Sequence, residues 1–356
     1  MIDLVGDIAR RACDAFASQA RGLSVRSAIA VLHGAPALNR RRDIGDARLD
    51  DAARAGWLYY VAGNTQDEIA AKLGISRQSA QRLVSLAIAE GLVKVRLDHP
   101  IANCLDLAAR LKDRYALRFA EVVPSDPASD STTLGVADAA AAEIERRLHT
   151  PGNAIIAIGT GRTLKAAVEL LPAINAPEKK IVSLTGNIAP DGSAAFYSVI
   201  FTMADIVNAR HFPISLPVIA SSAQERDLLH QQPMIKATLA LARQADIAFV
   251  GVGDLGPNAP LHQDGFVSRV ELSALQKAGA VGEITGWAFD AEGQLIPGLT
   301  NERVASAPIP STEKCLIVAL GKGAVKLPGI RAAVKGGLVN GLITDEWTAE
   351  QLLMAE

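Results

Sequence analysis

Two short stretches of this sequence hold residue types that could do chemistry. In the first, Arg77, Gln78, Ser79, Gln81 and Arg82 follow Ser76 at a spacing that gathers them on the outer side of one short helix. Glutamine amides can pair bidentately with a base edge, while arginines and hydroxyls can hold phosphate oxygens. Gln78 and Gln81 are therefore the candidates for reading bases, and Ser76, Arg77 and Arg82 for holding the backbone. Thr65 and Gln66, at the start of the preceding helix, and Ser79 complete the group. The second stretch is Gly159-Thr160-Gly161-Arg162-Thr163, which follows an apolar run. Its glycines let the backbone approach a ligand, the amides at a helix start point outward, and Thr160 and Thr163 add hydroxyls. That is the chemistry of an anion or polyol site. Glycine also serves the geometry of any strand-to-helix turn, so this stretch gains weight only from partners elsewhere in the chain.

The first group needs closely crossed helices to present it. Leu49, Ala52, Ala53, Gly56, Trp57 and Tyr60 recur at helical spacing and predict one helix with these residues inward. Gly63-Asn64 stops it, Thr65 caps the next helix, and Glu68 completes a capping box. Ile69, Ala70 and Leu73 form that helix's inner face. Gly74 turns the chain, Ile75 plugs the core, and Ser76 caps a third helix whose inner residues are Ala80, Leu83, Val84 and Ala87. Residues 92–97 alternate and predict a short strand, the wing of a winged helix. Caps, glycine, plug and polar outer face coincide as a helix-turn-helix requires; the rival reading is a helical hairpin in an unrelated bundle.

The second group needs a parallel sheet. Strands are predicted at 121–124, 154–158, 181–184, 247–252, 316–319 and 341–344, with helices between most of them, including an alanine-rich one over 133–148. Apolar strands ending in glycine describe a doubly wound, mostly parallel α/β domain. Ligands of such sheets sit at the strands' carboxyl ends. The expected organisation is an N-terminal arm (1–46), a helix-turn-helix domain (47–98), a linker helix (99–117) and an effector domain (118–356). The arm holds a possible helix over 2–20 and the run Arg40-Arg41-Arg42. It reads as a mobile arm or a start-site extension, with phosphate contact by the arginines as the functional alternative.

Composition sets the bounds. At 356 residues, 49% apolar and 21% charged, the chain suits two domains with a sizeable core. Its three cysteines are scattered with no paired spacing, which argues against a disulfide scaffold or structural zinc; no metal and no cofactor is expected. With no apolar run of membrane length and no signal-peptide core, the expectation is a cytoplasmic protein without a membrane partner. Net charge is −2, with the basic excess confined to the first hundred residues.

Leu58-Tyr59-Tyr60, Thr65-Gln66-Asp67-Glu68-Ile69-Ala70 and Leu73-Gly74-Ile75-Ser76-Arg77 resemble the start of the SorC family of sugar-binding transcriptional regulators. Thr185-Gly186-Asn187, Gly251-Val252-Gly253-Asp254, the glycine-rich 279–286 stretch and residues 321–348 resemble that family's effector domain, itself similar in fold to glucosamine-phosphate and ribose-phosphate isomerases. The resemblance runs from about residue 50 to the end. Members commonly carry Val-Ser-Arg in the recognition helix where this chain has Ala80-Gln81-Arg82, so the operator sequence does not carry over. The resemblance implies operator DNA and a small carbohydrate as partners, a homo-oligomer, a tetramer, and allosteric coupling between them. Residues expected to meet the effector are Gly159, Thr160, Gly161, Arg162, Thr163, Thr185, Gly186, Asn187, Asp254, Glu283 and Lys326. Asp254 and Glu283 would accept from hydroxyls and Lys326 would donate; an ordinary ion pair is the alternative for Glu283 and Lys326. Some phosphosugar-sensing relatives place Lys or Arg where Thr185 stands. Threonine brings no charge for phosphate and forms no Schiff base, which favours a neutral sugar or sugar alcohol, although Arg162 remains as a cation.

The rival function is a sugar-phosphate isomerase or deaminase, which needs an acid and a base at an open sugar. Here the Gly253-Asp254-Leu255-Gly256 loop lacks an adjacent histidine, and His149, His211, His230 and His262 sit in no motif. Such an enzyme would also have no use for the helix-turn-helix. A regulator answering to a protein partner is a third reading that nothing in the sequence favours.

Overall fold

The structure, a computed structural model, describes residues 43–93, 101–125, 134–189, 192–194 and 197–354, with side chains from residue 48. The expected arm lies outside the described residues as far as residue 42, as does most of the expected wing strand; Leu92 and Val93 form a bend. The chain divides into two compact units, residues 1–96 and 97–356.

In the first unit, α1 (Asp43–Tyr60), α2 (Gln66–Leu73) and α3 (Arg77–Ala89) enclose a small core of Ala55, Ile69, Ala70, Ala80 and Val84. Local chemistry sets each boundary. The Thr65 hydroxyl accepts from the Glu68 N–H while the Glu68 carboxylate accepts from the Thr65 N–H at 2.7 Å. Gly74 ends α2 in the left-handed region (φ 66°), and the Ser76 hydroxyl accepts from the Ser79 N–H at 3.1 Å. One expectation is corrected: Trp57 and Tyr60 point outward, 55% and 41% exposed, and the inner face of α1 is Ala52, Ala55 and Gly56. The helices approach too closely for large side chains. A Cβ on Gly56 would stand 2.6 Å from Val93 Cγ2 and 2.9 Å from Ala87 Cβ.

Removing the reciprocal cap should weaken this unit measurably. Thr65→Ala is expected to cost about 1 kcal/mol, seen in calorimetry as a lower midpoint for the helical unit's unfolding. An unshifted midpoint would mean that the cap contributes nothing.

The second unit runs α4 (Ala102–Tyr115), β1 (Phe119–Val123), α5 (Leu134–His149), β2 (Ile155–Ile158), α6 (Arg162–Glu169), β3 (Ile174–Ile188), α7 (Val199–Ile206) and β4 (Val207–Pro217). It continues with α8 (Ala223–Gln231), α9 (Pro233–Ala242), β5 (Ile247–Gly251), α10 (Pro260–Gln263), α11 (Arg269–Lys277), β6 (Ala280–Ile284) and β7 (Trp287–Asp290). The last elements are β8 (Leu316–Leu320), α12 (Leu327–Lys335), β9 (Gly341–Asp345) and α13 (Glu346–Met354). Seven strands form one sheet in the order β1-β9-β8-β5-β2-β3-β4, with every pairing parallel. Strands such as Leu316–Leu320 are apolar at every position because both faces are covered. One face packs α4, α9, α12 and α13 against Ala157, Val182, Ala248 and Ile317; the other packs α5, α6 and α7 against Ile156, Ile158, Phe249 and Val318. From β2 the chain moves outward to β3 and β4; from β5 it moves the opposite way, to β8 and β9. The sheet's switch point therefore lies between β2 and β5; ligands of such sheets bind in the crevice outside the carboxyl ends of the strands at that point.

β6 and β7 form a separate antiparallel hairpin. Ala288, α11 and the segment after β5 enclose a cluster in which Leu255, Leu261, Leu272 and Leu275 are also buried, while Ile284 and Phe289 of the hairpin belong to the core of the sheet. Among the described residues no helix is long and apolar enough to cross a membrane.

Candidate functional site

The outer face of the first unit carries the polar residues that the sequence gathers there. Gln78, Gln81 and Arg82 are exposed on α3, and among the described residues no hydrogen bond or ion pair holds their side chains. Arg77 is exposed too, but pairs with Asp67 of α2 at 3.5 Å. Ser79 is partly buried and its hydroxyl lies 2.9 Å from that of Ser76, so both belong to the cap. Thr65 is likewise engaged with Glu68, at 3.0 Å between side-chain oxygens, and Gln66 is partly buried at the start of α2. The freely presented donors and acceptors are thus the two glutamines and Arg82.

In the second unit, four loops converge on the switch point. β2 runs into Gly159, whose N–H donates to the Phe249 carbonyl of β5 at 2.8 Å. The turn then passes through Gly161, at φ 123° and without a side-chain cap, into α6. A backbone this open would disfavour any other residue at position 161. After β5, Gly253 and Glu283 exchange backbone hydrogen bonds at 2.9 and 3.0 Å, which ties the hairpin to the sheet. The Glu283 side chain lies over Gly253 so closely that a Cβ there would stand 1.9 Å from Oε1. Its other carboxylate oxygen accepts from the Gly286 N–H at 2.8 Å.

The charges here act on one another. Burial pushes the Glu283 carboxyl up; the Gly286 N–H and the Lys326 ammonium oppose this, while Asp254 adds to it. Burial pushes Lys326 down, against the attraction of Glu283 and with the help of Arg162. Asp254, Glu283, Lys326 and Arg162 are therefore within electrostatic reach of one another around the crevice. Asp264 joins them: burial raises its carboxyl and Arg162 opposes the shift. A carboxylate and an ammonium held partly out of water beside open backbone amides can accept from and donate to the hydroxyls of a small polar ligand.

The other expected residues have different surroundings. The Thr160 hydroxyl donates to the Tyr197 carbonyl, and Thr163 is buried in the first turn of α6. The Ile158–Ser183 register brings the end of β3 to the same sheet edge, with Asn187 partly exposed there. Thr185 is buried, and its hydroxyl has no hydrogen-bond partner among the described residues. Gly186 serves packing: a Cβ would stand 2.5 Å from the Leu216 carbonyl oxygen on β4. His262, the histidine nearest in sequence to Asp254, has Nδ1 3.0 Å from the Val267 carbonyl oxygen.

Sequence reasoning missed Asp264 and Thr285. Asp264 is a hundred residues from Arg162 and stands in no motif. Thr285 carried a local signal, for Thr285-Gly286 is the two-residue turn of the hairpin, with φ of 52° and 94°. A β-branched residue in that region costs about 1–3 kcal/mol, and a buried hydroxyl left unpaired costs about 1–3 kcal/mol more.

Comparison with known proteins identifies the family. The family model described as "Putative sugar-binding domain" matches residues 99–354. The erythritol catabolism regulatory protein EryD of Brucella abortus (strain 2308) is 34% identical over 310 residues, covering 87% of this chain and 98% of that protein. Transcriptional regulator LsrR of Escherichia coli (strain K12) is 29% identical over 309 residues, covering 85% of this chain and 94% of that one. The crystal structure of the full-length sorbitol operon regulator SorC from Klebsiella pneumoniae superposes with a TM-score of 0.65 at 25% identity, over 85% of this chain and 97% of that one. These relatives are named as regulators, and the matches extend across nearly their whole length. With a helix-turn-helix in front of a sugar-binding α/β domain, this chain belongs to the SorC family of sugar-binding transcriptional regulators.

Proposed function

We propose that this regulator's hold on its operator answers to a small neutral sugar or sugar alcohol, bound where the Gly159–Arg162 turn meets Asp254, Glu283 and Lys326. The observation that carries the reading is this partly desolvated carboxylate–ammonium cluster at the switch point of the sheet. Two names among the relatives, an erythritol catabolism regulator and a sorbitol operon regulator, make short polyols the first candidates. Thr185, buried and uncharged, brings no positive charge for a phosphate, which is the second support for a neutral ligand. The protein acts as a homo-oligomer, a tetramer, so that paired α3 helices can meet half-sites about 34 Å, one DNA turn, apart or at a multiple of that. The effector shifts this equilibrium because it binds more tightly to one arrangement of subunits than to the other. It works in the cytoplasm as a regulator and not as an isomerase.

A gel-shift titration of the purified full chain on its own promoter region tests the reading. Erythritol or sorbitol is expected to change the operator Kd at least about tenfold, a coupling of ordinary allosteric size, and aldose phosphates are expected to leave it unchanged. A response to sugar phosphates alone would overturn the neutral-ligand reading, and measurable isomerisation of aldose phosphates would overturn the assignment as a regulator only.

A further inference from the structure

Thr285 is the residue in this unit whose presence is hardest to explain by folding alone. Its position in the hairpin turn favours asparagine, aspartate or glycine, because both central residues have positive φ. Threonine is β-branched and is disfavoured there. Only 7% of its surface is exposed, and its hydroxyl finds no hydrogen-bond partner among the described residues. Its methyl group faces the Gly159–Arg162 turn: a Cβ on Gly159 would stand 3.4 Å from Thr285 Cγ2. Glu283 is two residues away, with its carboxylate bound to the N–H of Gly286. A strained residue with a desolvated, unpaired hydroxyl therefore stands beside the glycine turn, its methyl group toward that turn, two residues from Glu283. Folding would be served better by Asn-Gly at the same place.

We propose that Thr285 is a specificity-determining residue whose hydroxyl takes a hydroxyl group of the bound polyol as its partner. One staggered step of χ1 carries the hydroxyl of a threonine into the position its methyl group held, while the methyl moves to the place of the Cβ hydrogen, so the hydroxyl reaches the side facing the Gly159 turn without backbone movement. There it can donate to a ligand oxygen while Glu283 accepts from the neighbouring ligand hydroxyl, so vicinal hydroxyls would be read as a pair. A site built to hydrogen-bond a hydroxyl discriminates strongly against a ligand that lacks it, since its own polar group is then left unpaired. The inference deepens the proposed effector reading and rests on it.

The test is calorimetric titration of erythritol into the full-length protein and three variants. Thr285→Val keeps shape and β-branching but lacks the hydroxyl, Thr285→Ser keeps the hydroxyl, and Glu283→Gln reports on the site as a whole. Thr285→Val is expected to bind erythritol at least about tenfold more weakly, the size of one lost hydrogen bond, and Thr285→Ser within about threefold of wild type. The thermal midpoint of Thr285→Val is expected to be no lower than that of wild type, because a buried unpaired hydroxyl has been removed, so weaker erythritol binding there reads the ligand contact and not a damaged fold. Wild-type affinity in Thr285→Val alongside weakened binding in Glu283→Gln would overturn the role of Thr285 and leave the site standing. No binding of erythritol or sorbitol by the wild-type protein would overturn the polyol reading and this inference with it.

Discussion

Replacing Gln78 and Gln81 together by alanine is expected to weaken operator binding by about a hundredfold, as loss of two bidentate base contacts at about 1.4 kcal/mol each requires. Both side chains are exposed on α3, and the core beneath is made by Ala80 and Val84, so the variant should fold as the parent does. Its salt dependence should also be unchanged, because glutamine displaces no counterions. Arg82→Ala should behave in the opposite way, losing affinity on every sequence and reducing the slope of log Kd against log salt by about 1. Fluorescence anisotropy on operator and scrambled duplexes at several salt concentrations distinguishes the two. If the glutamine pair proved silent while thermal unfolding stayed normal, α3 would not be reading bases.

Glu283→Gln is expected to weaken effector binding by about 10- to 100-fold, the range for a hydrogen bond to a charged group of about 1.5–3 kcal/mol, while making the folded chain more stable. The stability sign follows from linkage. Burial raises the Glu283 carboxyl in the folded state, so its contribution is full while the group is protonated and is lost as pH rises through that raised value. Glutamine never ionises and so removes this loss at neutral pH. Effector binding runs the other way: it needs the carboxylate, and in the wild type should fail at milder acidity than an ordinary glutamate would allow. Lys326, whose ammonium is pushed down by burial, contributes stability above the ordinary lysine range that is lost as pH falls through its lowered value. Thermal melts and erythritol titrations across pH check all of this. A Gln variant that is both less stable and fully responsive would contradict it.

Where local chemistry decides structure, the sequence was readable. Thr65, Glu68, Gly74 and Ser76 each act within three or four residues, and the helix-turn-helix they delimit is found at the expected residues. The buried strands β2, β5 and β8 were visible as uninterrupted apolar runs, and β9 by Leu342 and Ile343 between Gly341 and Thr344. The edge strand β4 was not, because its Asn208, Arg210 and Pro213 break any apolar pattern on a strand paired along one side only. In β3 the stretch through Pro177 and Glu178 hid seven residues of strand, and the register with β4 shifts there between Asn175 and Lys180. The β6–β7 hairpin escaped notice because Thr-Gly stands where Asn-Gly would have announced a turn. On α1, helical spacing alone admitted Trp57 and Tyr60 to the inner face; the close approach at Gly56, a tertiary fact, excludes them. At the crevice, the turn after β2 and the pair Glu283 and Lys326 could be named in advance. Asp264 could not, since its relation to Arg162 exists only in three dimensions.

The hairpin that carries Glu283 and Thr285 is anchored twice: Ala288 lies in the cluster of Leu261, Leu272 and Leu275, while Ile284 and Phe289 are buried in the core of the sheet. An effector bound as proposed above would therefore rest between two elements, the glycine turn and the hairpin, that are both footed on the sheet. Substitutions at Ile284 and Phe289, neither among the residues assigned to the effector, are then expected to raise the Kd for the effector.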